Sequence, residues 1–281
     1  MRIISYGADP EFFLEDNKGS IVSALDVGVP PKEKAIELNT CKIFADNVAV
    51  EFNINPQVSR TGFIATIENS TKELERFIQK EFGLKLSDKI DHEFADTQLK
   101  KPGAMEFSCR EDFSALTFSS CQRIDPALVG GLRTVGGHLH LGLSQATGDH
   151  IGHDRRYYFV RFLDMYAGLY SASIEPPNSR RTLYGQASKF RFTGYGLEYR
   201  TPSNFWLPKN SKRNLTSDLL WHVDQALAKT NQMLEDPDAR VPDQYFSVIN
   251  SIDSDNKKRI KELYSNYIED AFLSGQYPNA C

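Results

Sequence analysis

The sequence predicts an α+β domain in which antiparallel strands are separated by helical excursions. Two textures alternate along the chain and carry this reading. Short aromatic and β-branched runs broken by Gly, Pro and Asn have strand character, while longer stretches repeat apolar residues at helical period. A third observation is that no fixed-period repeat and no low-complexity linker divides the 281 residues.

Taken in order, strands are expected at 2–6, 10–15, 47–54, 104–108, 135–143, 187–192 and 196–200. Helices are expected at 62–82 (Phe63, Ile67, Leu74, Phe77, Ile78), 154–174 (Tyr158, Phe162, Met165, Leu169), 212–234 (Leu215, Leu219, Leu220, Val223, Leu227) and 256–273 (Ile260, Leu263, Ile268, Phe272). Pro202, Pro208 and Asn210-Ser211 mark the internal seam. It separates a sheet core over about 1–207 from a mainly helical region over about 210–281, both within one domain spanning 1–281.

Composition narrows the class. With 33 Lys+Arg against 37 Asp+Glu the formal charge is −4, so no general electrostatic pull toward nucleic acid is indicated. A chain that is 40% hydrophobic and 11% aromatic can collapse into a core without disulfide or metal support. No run approaches about 18 apolar residues, and Asp9 and Glu11 interrupt the start too early for a secretory leader. A cytoplasmic protein is the expectation. Cys41, Cys109, Cys121 and Cys281 lie far apart without a C-x-x-C, which reads as reduced thiols.

The informative pattern is a pair of polar residues at i and i+2 inside an otherwise apolar strand. It occurs as Asp9-Pro-Glu11, Glu51-Phe-Asn53, His138-Leu-His140 and Glu198-Tyr-Arg200. Side chains alternate across a strand, so each pair projects to one face and Phe, Leu and Tyr to the other. An ordinary solvated face favours Thr, Lys, Ser and Gln; here three pairs carry carboxylates and one is His-x-His. Carboxylates converging in a cleft are costly unless neutralised, so convergence implies a cation. Oxygen ligands with one or two imidazoles suit Mg²⁺ or Mn²⁺. Gly136, Gly137 and Gly142 around the histidines allow close approach of backbone or ligand.

A hairpin is expected over Lys189–Arg200, turning at Gly194-Tyr195 with Thr193 facing Gly196. That register sets Arg191 opposite Glu198 and Lys189 opposite Arg200, on one face. Arg180 and Arg181 add two cations upstream. Acids for a metal at one end and guanidinium forks at the other suit a polyphosphate.

Other segments carry less. Glu106 to Asp112 reads as a strand end, His150 and His153 with Asp154 as a loop and helix cap, and Trp206 and Trp221 as core. His92 and His222 lack a local pattern. Phosphate-binding, dinucleotide-binding, serine-nucleophile and kinase signatures are absent from the sequence.

These residues resemble a known family. Gly7-Ala-Asp9-Pro-Glu11-Phe-Phe-Leu is similar to the acidic first strand of the glutamine synthetase catalytic fold, and Gly136-Gly-His138-Leu-His140 to its Gly-x-His-x-His strand. Asn178-Ser-Arg180-Arg181, then Gly196-Leu-Glu198-Tyr-Arg200-Thr-Pro, resemble its arginine-bearing stretch and Glu-x-Arg-x-Pro strand, in the same order. With Glu51-Phe-Asn53-Ile-Asn55-Pro, Phe107-Ser-Cys109 and Ser203-Asn204-Phe205-Trp206, the set is most similar to the compact phage-type carboxylate–amine ligases, type 2, over about residues 6–207.

The resemblance implies a curved antiparallel sheet with helices on its convex side and the site on its concave face. It implies ATP and Mg²⁺ (or Mn²⁺) as cofactors, with Asp9, Glu11, Glu51, His138 and Glu198 as metal ligands. Arg200, Arg191, Arg180, Arg181, Lys189 and His140 would bind nucleotide, and Asn53 and His140 would face substrate. Glu51, Arg191 and Arg200 would be catalytic. The implied reaction forms an acyl phosphate from a carboxylate and ATP, and an amine then displaces phosphate to give an amide.

The family's second acidic block has two glutamates where this chain has Glu51 and Asn53, and Asp9 stands where the family carries Glu. The carboxylate and amine are small molecules or peptides on this reading, with a modified nucleobase a further option, no membrane partner, and the cytoplasm of a phage-infected bacterium as the setting. Oligomeric state is not readable. Simple phosphoryl transfer of the guanidino-kinase kind, a non-catalytic protein retaining the fold, and a metal-dependent hydrolase are the competing readings.

Overall fold

A computed structural model describes residues 1–101, 103–104, 112–121, 129–144, 155–210, 214–233, 244–251 and 258–266. Its strands are β1 (Arg2–Phe12), β2 (Leu14–Glu15), β3 (Ile21–Val22), β4 (Ile36–Glu37), β5 (Lys42–Asp46), β6 (Ala49–Asn53), β7 (Lys85–Leu86), β8 (Asp91–Glu93), β9 (Asp112–Ser114), β10 (Ser119–Cys121), β11 (Leu132–Thr134), β12 (Gly137–Ser144), β13 (Lys189–Thr193) and β14 (Gly196–Tyr199). Its helices are α1 (Arg60–Phe82), α2 (Arg155–Leu163), α3 (Leu169–Ile174), α4 (Arg180–Leu183), α5 (Leu215–Met233) and α6 (Gln244–Asn250), and 258–266 is helical as well.

A nine-stranded sheet in the order β10-β9-β13-β14-β12-β1-β6-β5-β4 organises the fold, and its strand pairings are antiparallel. The expected α+β class with an antiparallel sheet is what the chain adopts. β1 is the hinge of this order: Arg2 to Pro10 pair with β12, and then Glu11 and Phe12 pair with β6. Pro10 falls where the strand changes partner, a position that tolerates a residue without an N–H. Strands expected separately at 2–6 and 10–15 are therefore largely one strand, followed after Phe13 by the short β2.

One face of the sheet is greasy. Tyr6, Ala8 and Phe12 of β1, Leu139 and Leu141 of β12, Leu197 and Tyr199 of β14, and Phe52 of β6 share a buried cluster with residues of α1, α2 and α5. Helix α1 fits that role from its sequence. Ser59 accepts the Gly62 N–H as N-cap, and Gly83 ends the helix at φ 67°. Phe63, Ile67, Leu74 and Ile78 between them form one buried stripe. Arg60 on α1 pairs with Asp224 on α5 at 2.6 Å.

The expected helix 154–174 is described from Arg155 and has a π-helical turn at Asp164–Gly168 between α2 and α3. Trp206 and Trp221 are core, as expected. Cys41 and Cys121 are free thiols, and burial followed by the nearby Glu73 charge pushes Cys41 up to about 11. The strand expected at 104–108, the Glu106–Glu111 segment, Cys109, Cys281, His150 and His153 lie outside the described residues, apart from Ala104. No helix among the described residues is long and apolar enough to cross a membrane.

Candidate active site

The other sheet face carries the four polar pairs, and its strand order sorts them by charge. From β13 across β14, β12, β1 and β6 to β5 the face runs from Lys189 and Arg191, through Glu198, the two histidines, Asp9 and Glu11, to Glu51 and Asp46. Registers set neighbours directly: Asp9 opposite His138, His140 opposite Glu198, Glu11 opposite Glu51, and Arg191 opposite Glu198. The hairpin has the expected register, with Thr193 facing Gly196.

Two groups of potential metal ligands result: Asp9, His140 and Glu198, and Glu11, Asp46 and Glu51, each with ligand atoms within 4.8 Å of one another. Of the five residues expected as ligands, four fall into these groups. His138 stands beside the first, with Nδ1 3.1 Å from Asp9 Oδ1 and 3.7 Å from Glu198 Oε1. Asp46 is an addition that sequence reasoning missed. It closes β5, and only the pairing of β5 with β6 brings it beside Glu51.

Electrostatics distinguish the groups. Burial, then the Asp46 charge, pushes Glu11 up to about 8, although the Gly136 N–H donates to it at 2.7 Å. Burial, followed by Asp9, Asp46 and Glu11, raises Glu51 well above its ordinary value; Asn53 donates to it at 3.1 Å. Asp9 behaves oppositely. Burial acts to raise it, but His138 and His140 outweigh burial and hold it far below the usual carboxylate range. His140 is raised because Asp9 outweighs burial, and its Nδ1 shares a 2.8 Å hydrogen bond with the Tyr195 hydroxyl. Burial depresses His138 to about 4, so it is a neutral imidazole at pH 7.

With its Nδ1 directed at Asp9, the Nε2 of His138 is buried and has no hydrogen-bond partner among the described residues. It packs where a Cβ on Gly136 would sit. Gly137 is equally constrained, since a Cβ there would lie 2.6 Å from Trp206 Nε1. Buried carboxylates under mutual repulsion, with an imidazole beside them, form a donor set suited to a hard divalent cation.

Glu198 sits between two guanidiniums: Arg191 Nη1 donates to Oε2 at 2.9 Å, and Arg200 Nε lies 3.1 Å from Oε1. Burial, then Asp9, lifts Glu198 to about 7 against the opposing Arg191 charge. Arg200 is itself buried and also pairs with Asp112 of β9. Lys189 reaches across to Cys121 Sγ at 2.7 Å.

Arg180 and Arg181 are placed differently from Arg191. Both are buried in α4. Arg180 donates to the carbonyls of Thr201 (2.8 Å) and Arg200 (3.0 Å), so it pins the backbone that follows β14. Arg181 makes a bidentate pair with Glu175, at 2.6 and 3.0 Å. Burial acts to raise Glu175, but the Arg181 charge and hydrogen bonds, with the Ser171 hydroxyl and the Arg180 charge, together outweigh it and hold Glu175 down at about 2. The two guanidiniums are thus engaged inside the protein rather than presented on the open face. Beside this turn lies a concavity of about 930 Å³ lined by charges of both signs, among them Glu15, Lys85, Asp91 and Lys209, and by none of the two carboxylate groups.

Behind the sheet, Asp164 in the π turn accepts from Tyr199 Oη (2.7 Å), Thr201 Oγ1 (3.0 Å) and the Ser188 N–H (2.5 Å). It therefore ties down both ends of the hairpin that bears Arg191, Glu198 and Arg200.

Comparison with known proteins gives two findings. The family model described as phage phiEco32-like COOH.NH2 ligase-type 2 matches residues 131–240. That stretch holds the His138-x-His140 strand, Arg180-Arg181 and the Glu198-x-Arg200 hairpin, and the match supports the resemblance read from the motifs. Among solved structures, "GmaS/ADP complex-Conformation 1" is similar at 13% identity and a TM-score of 0.43, covering 99% of this chain and 71% of that one. A search of curated proteins finds no match.

Proposed function

From its resemblance to the phage-type carboxylate–amine ligases, we propose that this chain is an ATP- and Mg²⁺-dependent ligase that joins a carboxylate to an amine through an acyl phosphate. One observation carries the reading: the face graded from guanidiniums to carboxylates, with metal-compatible groups at Asp9/His140/Glu198 and Glu11/Asp46/Glu51. Asp9, Glu198, His138 or His140, and Glu11, Glu51 and Asp46 would hold the divalent ions, which screen phosphate charge and orient in-line attack.

Arg191 and Arg200 are the guanidiniums assigned to the transferring phosphoryl group, with Lys189 at its flank. Arg180 and Arg181 take a supporting role, since one fixes the Arg200 carbonyl and the other neutralises Glu175. Glu51 is assigned beside the reacting centre, as a member of the second carboxylate group. Asn53 orients Glu51 through its 3.1 Å hydrogen bond. His140, bridged to Tyr195 and Asp9, lines the nucleotide side.

The test is a coupled ADP-release assay over pools of carboxylates and amines with Mg²⁺. Turnover that needs both pools, and falls roughly hundredfold in Arg200→Lys, supports the reading. Absence of Mg²⁺-dependent nucleotide binding sinks it. A stable phosphorylated acceptor without amide assigns the site to simple phosphoryl transfer instead.

A further inference from the structure

Tyr184 belongs to none of the motifs above, yet it lies within them. It follows α4 in extended conformation, at φ −148° and ψ 156°. The Arg200 guanidinium stands 4.6 Å from its ring centroid and that of Arg180 5.5 Å, while the His138 ring packs against it at 5.5 Å. The ring is therefore held by two cations and an imidazole.

Its hydroxyl is not held. The oxygen is buried and has no hydrogen-bond partner among the described residues. A buried tyrosine ordinarily finds a partner, and an unmade bond at a desolvated hydroxyl is a net loss to the fold. The surroundings define the missing group. The positive charges of Arg180 and Arg200 near the ring disfavour a cation there and favour an anion as the acceptor of the hydroxyl's hydrogen bond.

We propose that the Tyr184 hydroxyl donates a hydrogen bond to an anionic oxygen of bound substrate, alongside Arg200. Phosphoryl and carboxylate oxygens share this chemistry, and only the choice between them rests on the ligase reading.

Tyr184→Phe retains the ring and both cation contacts and removes only the O–H. Wild type and variant are compared by thermal melting and by calorimetry with three probes: Mg²⁺ with a non-hydrolysable ATP analogue, inorganic phosphate, and glutarate. The expected result is an unchanged or slightly raised melting temperature together with a roughly ten- to hundredfold loss of affinity for at least one probe. Loss toward phosphate and the analogue assigns the phosphoryl group; loss toward glutarate alone assigns the carboxylate. Equal binding of all three by variant and wild type overturns the proposal, as does wild type binding none of them. A lowered melting temperature overturns it too, because the hydroxyl would then have a structural partner. If wild type binds phosphate through Tyr184 but shows no ATP turnover, the anion site stands and the ligase reading falls.

Discussion

Arg181→Met tests whether the buried arginine is a clamp or a phosphate ligand. Its partner Glu175 is 1% exposed and also accepts from Ser171 at 2.5 Å, so the variant strands a carboxylate in the interior. The fall of Glu175 from its ordinary 4.5 to about 2 corresponds to roughly 3 kcal/mol in favour of its charged form. Breaking a buried pair by removing one partner typically costs about 3–5 kcal/mol, in agreement. At this chain length about 2 °C is lost per kcal/mol, which gives a melting temperature lower by roughly 6–10 °C. Adding Glu175→Gln to Arg181→Met removes the stranded charge and restores part of the loss, a coupling read by a double-mutant cycle of urea unfolding. The pair also sets a pH dependence. Glu175 is depressed, so its contribution is present above its ordinary value of 4.5 and lost as pH falls toward about 2. If Arg181→Met melts with wild type but loses nucleotide affinity, the clamp assignment is refuted and the guanidinium belongs to the phosphate.

Three further outcomes are expected. Glu51→Gln relieves repulsion among Glu11, Asp46 and Glu51, so it is expected to raise the melting temperature without metal and to reduce the Mg²⁺-induced rise expected of wild type; Asp46→Asn behaves alike, and an unaltered Mg²⁺ response in both removes this group from the metal site. Asp164 is raised by burial to about 7, so its stabilising contribution is present below its ordinary 3.8 and lost as pH rises through about 7; urea midpoints between about pH 5 and pH 8 decline in wild type and less steeply in Asp164→Asn. Gly185→Ala places a Cβ into the Arg180 guanidinium at a backbone φ of +69°, and a cost of about 2–4 kcal/mol is expected from urea unfolding, with wild-type stability counting against the packing of Arg180 described here.

Legibility varied with the range of the interaction. The β13–β14 register was readable because a two-residue turn at Gly194-Tyr195 leaves one way to pair Arg191 with Glu198. The four polar pairs were readable because strand alternation is local. Asp46 was not, since an acid ahead of Asn47 at φ 55° looks like turn chemistry, and only sheet order sets it beside Glu11 and Glu51. The burial of Arg180 and Arg181 and the pairing of Arg181 with Glu175 were not readable, because adjacency in sequence carries no information on burial, and Glu175 lies upstream of a Pro-Pro step. The π turn at Asp164 interrupts a helical period without changing which residues are apolar, so nothing in the pattern announced it.

The partner change within β1 has a consequence for how the two carboxylate groups tolerate variation. Asp9 belongs to one and Glu11 to the other, and they are separated by a single pleat of one strand, about 7 Å along its axis. Side chains can be lengthened or shortened without altering that spacing, whereas inserting or deleting one residue between Gly7 and Phe12 would turn an acid toward the core. The separation between groups is thus a property of the backbone repeat, adjustable only in steps of two residues. A lineage carrying this strand can retune each group by substitution, but cannot slide one past the other by degrees.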